Sequence, residues 1–196
     1  MHLEIHAEHL HRLKVELVRA GLREIGGVLV GEHVGGDRFR LIDLSVQRRG
    51  GGRAHFKRDP VAAARFVNAA IARGGGDATR VNYLGEWHSH PFLSASPSIK
   101  DVRQMQEIVE DPEGIATFSV LIVASARANG LEMSATLFRP QAGEERVEIH
   151  VPDGEAKGWR QVSSAPVEGS GDGNQEAPVE VKSHKENANG NASEQV

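Results

Sequence analysis

The sequence predicts a mixed α/β domain, an α+β sandwich in which helices flank one sheet. Three stretches repeat apolar residues at helical spacing. About six short runs among and after them alternate or are apolar throughout, and are bounded by glycine, proline or aspartate. Residues 1–162 have the composition of a globular domain, whereas residues 163–196 contain no aromatic side chain.

In chain order, residues 7–20 place Leu10, Leu13, Leu17 and Val18 on one helical face, with Gly21 as the stop. Residues 26–30 (GGVLV) form a short buried strand and residues 39–46 (FRLIDLSV) an alternating one, with HVGGD turning the chain between them. Residues 48–53 (RRGGGR) are loop, and Arg48, Arg49 and Arg53 are solvated there. Pro60 suits a first helical turn, and the helix after it, VAAARFVNAAIAR, is closed by three glycines. Residues 81–87 are a strand leading into a pair of histidines, and residues 98–109 a helix stopped by Asp111-Pro112. Residues 117–124 (TFSVLIVA) are apolar throughout, as a central strand is. Residues 131–138 and 146–151 complete the strands. From residue 163 to 196, six acidic residues stand against two lysines, with too little apolar surface to offset the entropy of ordering. A disordered acidic tail is therefore expected behind a 1–162 domain.

The net charge of the 196 residues is −4, and the tail accounts for all of it. A neutral domain is not a general nucleic-acid binder, because clustered Lys and Arg drive phosphate binding. No apolar run approaches the roughly 18–20 residues that span a bilayer. The opening MHLEIHAEHL lacks the basic start and apolar centre of a signal peptide. A cytoplasmic protein is expected. Cysteine is absent, so disulfides, thiolate nucleophiles and Cys-ligated zinc are excluded, and nitrogen and oxygen must hold any metal.

Residues 85–101 read GEWHSHPFLSASPSIKD. His88 and His90 are two apart on a strand, so both imidazoles face one side with Cα atoms about 7 Å apart. Pro91 takes the chain out of the ladder. It returns as a helix with Ser98 at the N-cap and Asp101 in the first turn. Two His and one Asp with a free fourth position are the ligand pattern of a catalytic zinc. Ser98 with Asp101 is equally a capping box with Asp in place of Glu, and one side chain can serve both purposes. Glu86 shares the face of His88 one step back, a candidate base better suited to supporting a ligand. Trp87 faces the other way, as core. Ser94 and Ser96 lie in the intervening loop, and Glu32 lies at the far end of its strand. His2, His6, His9 and His11 are expected to be surface histidines near a frayed end.

The spacing H-x-H, seven residues, S, two residues, D resembles the motif of the JAB1/MPN/Mov34 (JAMM) metalloenzymes, and His88, His90, Ser98 and Asp101 match it without a gap. That family also has a Glu after its first helix, opening a Gly-rich strand. Glu24 in REIGGVLVG is similar, with Gly26, Gly27 and Gly31 around it. The resemblance covers about residues 8–140 and is strongest to the compact prokaryotic JAB type. It implies an MPN/JAB, cytidine-deaminase-like fold with helices flanking one curved sheet. It also implies one zinc ion per chain on His88, His90 and Asp101, with Glu24 as general base and Ser98 steadying the oxyanion. The implied activity is a peptidase or isopeptidase acting after the Gly-Gly tail of a ubiquitin-like protein or its conjugate. E1- and E2-like enzymes are the implied pathway partners, some of them in antiphage defence. Only EDPEGIA separates the catalytic helix from the next strand, so selectivity for polyubiquitin linkages is not expected. An inactive MPN scaffold and a zinc hydrolase of a small amide are the other classes that the sequence leaves open.

Overall fold

A computed structural model describes residues 1–48, 58–114, 116–152 and 158–166. The expected acidic tail from residue 167 onward, and Arg49 and Arg53 of the expected loop, lie outside the described residues. Three helices, α1 (Ala7–Ala20), α2 (Pro60–Arg73) and α3 (Ile99–Glu110), accompany nine strands. The strands are β1 (His2–Glu4), β2 (Gly26–Gly35), β3 (Arg38–Leu44), β4 (Val81–Ser89), β5 (Ser119–Arg127), β6 (Gly130–Phe138), β7 (Glu145–Arg146), β8 (Glu148–His150) and β9 (Trp159–Gln161). They form one mixed sheet in the order β7-β6-β5-β4-β2-β3-β1-β8, with β9 beside β6. The mixed α/β class holds. The sheet curls until it nearly closes, because the run 145–150 spans both edges. β7 pairs with β6, β8 pairs with β1, and the Val147 amide between them donates to the Ala135 carbonyl.

The two faces of the sheet carry different cores. On one, Leu10, Leu13 and Leu17 of α1 pack with Ile25, Leu29, Trp87, Val120 and Ile122. On the other, Met105 and Val109 of α3 pack on Leu121, Val123 and Phe138, and Ala70 of α2 packs on Val30 and Val81. Strand alternation therefore sends His88, paired with Val123, toward the α3 side. Among the described residues no helix is long and apolar enough to cross a membrane.

Several expectations are corrected. Val18 is exposed, because the buried stripe of α1 runs through His9, Leu10, Leu13, Glu16, Leu17 and Ala20 instead. The N-terminus does not fray: His2–Glu4 form β1, between β3 and β8, and Leu3 and Ile5 are fully buried. His9 is buried rather than on the surface, and its Nε2 donates to the Ile42 carbonyl at 3.1 Å. Burial lowers its pKa, which keeps the ring neutral. Arg48 is not merely solvated, since it ion-pairs at 2.6 Å with the buried Glu16.

Gly27 marks a close approach on the strand beside β4. A Cβ there would lie 2.2 Å from the Ser45 carbonyl oxygen and 2.6 Å from its Oγ. That carbonyl also accepts from Trp87 Nε1 at 2.8 Å, so it has no freedom to withdraw. Gly27→Ala is expected to cost about 2–4 kcal/mol. Thermal unfolding should show it as a Tm lowered by about 5–15 °C, and an unchanged Tm would contradict this account of the packing.

Candidate functional site

The end of β4 is bonded on both sides, and this sets where its histidines stand. Gly26 pairs with His88 across the antiparallel β2–β4 ladder. One step on, the Ser89 amide donates to the Ile25 carbonyl at 2.8 Å, while the Ile25 amide donates to Ser89 Oγ at 2.9 Å. Glu24 lies two residues before Gly26, and its charge acts on His90. On the other side the His90 amide donates to the Ala124 carbonyl, and Ser125 Oγ donates to the His90 carbonyl at 2.8 Å.

α3 brings the third donor. Ser98 is its N-cap, and the capping box is complete: Ser98 Oγ accepts from the Asp101 amide, and the Asp101 carboxylate accepts from the Ser98 amide. Asp101 Oδ2 also accepts from Ser98 Oγ at 2.7 Å. The carboxylate is thereby turned toward the rings, with Oδ1 3.4 Å from His88 Nε2 and Oδ2 3.4 Å from His90 Nε2. The two Nε2 atoms are 3.1 Å apart. His90 Nδ1 donates to the Ser94 carbonyl at 3.0 Å, which turns its Nε2 toward the cluster.

The donor set fits a small divalent ion. Tetrahedral bonds of about 2.0–2.1 Å separate ligand atoms by about 3.3 Å, close to the observed spacings. His88, His90 and Asp101 each offer one donor, and these lie within 4.8 Å of one another. Electrostatics agree. Burial alone would raise the Asp101 carboxyl, but hydrogen bonds from His88 and His90 and their charge outweigh it and hold it far below the usual range. Burial alone would lower His90, yet its bonds to Asp101 and the Ser94 carbonyl and the charges of Asp101 and Glu24 raise it. Glu24 is itself buried at 8% exposure.

The remaining residues singled out in the sequence lie apart from the donors. Glu86 sits one pleat back from His88 and pairs with Arg58 at 3.1 Å. Burial pushes its carboxyl up, against the pull of Arg58 and His88. Trp87 is fully buried on the opposite face. Glu32 pairs with Arg40 and Arg80 far along β2. Ser96 Oγ donates to the Ser163 carbonyl at 2.7 Å, and Ser94 contributes only its carbonyl to the site. Ser89, Ser125 and Arg58 were not foreseen as supports. A serine between two histidines was a legible signal for Ser89, because alternation had to bury it on the apolar face.

The model for prokaryotic homologs of the JAB domain matches residues 6–148. A protein named CD-NTase/cGAS isopeptidase, from Enterobacter hormaechei subsp. hoffmannii, is 27% identical over 122 residues, which cover 61% of this chain. The match spans 64% of that relative's length. The solution structure of protein DSY2949 from Desulfitobacterium hafniense superposes with a TM-score of 0.55 at 19% identity, covering 76% of this chain and 93% of that one. A JAB1/MPN domain protein from Archaeoglobus fulgidus superposes at 0.39 and 15% identity, covering 76% and 98%.

Zinc added at about 100 times its dissociation constant should stabilise the chelator-treated protein by about 2.7 kcal/mol. Asp101→Ala and His88→Ala should abolish that shift in a thermal scan. A wild-type protein indifferent to zinc would contradict the site.

Proposed function

Because this chain belongs to the family of prokaryotic homologues of the JAB domain, we propose that it is a zinc-dependent peptidase or isopeptidase. Its substrate is a bond that follows the C-terminal Gly-Gly of a ubiquitin-like protein, in a conjugate or a precursor. The observation that carries the reading is the meeting of His88, His90 and Asp101, with the charge of Glu24 acting on His90. The relative named an isopeptidase supports the bond class, and its name associates that activity with CD-NTase/cGAS. A conjugate of such a protein is the first substrate to test here.

His88 and His90 would hold the ion through Nε2, and Asp101 through a carboxylate oxygen. When bound, zinc would supply a Lewis acid that makes a water acidic enough to ionise near neutral pH. Glu24, buried and outside the donor set, takes the proton of the attacking water and delivers it to the departing amine. Ser98 has two donors to deploy. Its amide can keep Asp101 Oδ2 in place at 2.7 Å while its hydroxyl turns to the oxyanion. The buried walls around the donors strengthen each of these interactions. A Gly-Gly tail suits such a site, because a chain without side chains can lie extended along a strand.

A ubiquitin-like protein joined through Gly-Gly to a reporter tests the activity. Glu24→Gln should lower kcat by about 10²–10⁴-fold while bound zinc stays near one per chain. Loss of zinc in step with activity in that variant would overturn the role assigned to Glu24. Failure of the zinc-loaded wild type on every ubiquitin-like partner offered would overturn the substrate class.

A further inference from the structure

Seven large apolar side chains are exposed among the described residues, and three of them, Phe92, Leu93 and Ile99, lie within the segment that builds the donor cluster. They are 54%, 43% and 45% exposed; Phe92 and Leu93 lie three and two residues before the fully buried Ala95, and Ile99 directly follows the cap Ser98. The backbone beneath Phe92 and Leu93 is held. Arg127 donates to the Leu93 carbonyl, His90 Nδ1 to the Ser94 carbonyl, and Ser96 Oγ anchors the loop to the Ser163 carbonyl. A solvated loop gains nothing from two adjacent apolar side chains held outward in this way, whereas a surface that meets an apolar substrate side chain does.

The place of these residues along the chain fixes which part of a substrate they meet. Phe92 is two residues from His90, so their Cα atoms are within about 7 Å. Substrate positions next to the cleaved bond are therefore within reach of this loop. On the reading proposed above, the acyl side of that bond is Gly-Gly and has no side chain to seat. We infer that Phe92 and Leu93, with Ile99 beside the cap, form an apolar seat for the first residue on the leaving side of a precursor's peptide bond, and that the protein prefers an apolar residue there. This rests on the Gly-Gly reading and adds the specificity of the other half of the substrate.

The probes are quenched-fluorescence peptides in which Gly-Gly is followed by Leu, Phe, Ser or Asp. Zinc-loaded wild type should cleave the Leu and Phe peptides with kcat/KM about tenfold above the Ser and Asp peptides. The pair Phe92→Ser and Leu93→Ser should erase that gap by lowering the apolar peptides alone, with zinc content and Tm unchanged. Equal rates in the wild type, a preference for Asp, or a gap that survives the double variant would overturn the inference. If no peptide is cleaved, the Gly-Gly reading fails on short substrates, and a second measurement still decides the seat. Phe92→p-benzoylphenylalanine, made in the Glu24→Gln protein, should crosslink the half of the Leu peptide beyond Gly-Gly. Crosslinking to the Gly-Gly half, or to neither half, would overturn it.

Discussion

Two imidazole nitrogens held 3.1 Å apart, with a carboxylate 3.4 Å from each, are the constraint around which this end of the molecule is arranged. Left to themselves, two buried rings with converging lone pairs and a buried anion would separate or draw in water. They stay because the backbone carrying them cannot move. Residues 88–90 are bonded to the entry of β2 on one side and to β5 on the other, and the serine between the rings closes the joint through Ile25. The site is a property of the sheet before it is a property of the side chains.

Asp101 shows how little of the chain this requires. One carboxylate completes a capping box and closes the triangle of donors. Because the cap bonds hold Oδ2 from behind, the helix terminus supplies the orientation that a separate supporting residue would otherwise have to provide. The two faces of the sheet divide the remaining labour. α1 fills the curled apolar side, and α2 and α3 cover parts of the other, so the polar cluster sits at the end of a strand whose reverse face carries Trp87 in the main core.

What the sequence made legible follows the range of each interaction. The H-x-H pair and the S-x-x-D cap are local, and alternation and helical spacing alone put their side chains on common faces. Glu24 is 64 residues from His88. Nothing in residues 1–40 alone marks it, and only the resemblance to a known motif picks it out; in the fold its charge acts on His90. The misreadings are non-local in the same way. β1 is a three-residue strand whose identity comes entirely from β3 and β8. His9 is buried because Ile42 lies above it. Val18 scored as apolar on a helical wheel, but the stripe of α1 that meets the sheet passes through Glu16, which is tolerated there because Arg48 and Arg19 reach it.

The charges at the site favour a cation without specifying which one. Asp101 and Glu24 raise the proton affinity of His90, and the same field attracts a divalent ion. Geometry separates the two. A proton bridges two atoms along one line, so it can join His88 to His90, or either ring to Asp101, but it cannot serve all three donors together. A divalent ion at the centre of the triangle satisfies both rings and the carboxylate at once. The rigidity of the β4 end therefore does more than hold side chains in place: it keeps all three donors at spacings that a single ion would bridge and a single proton cannot.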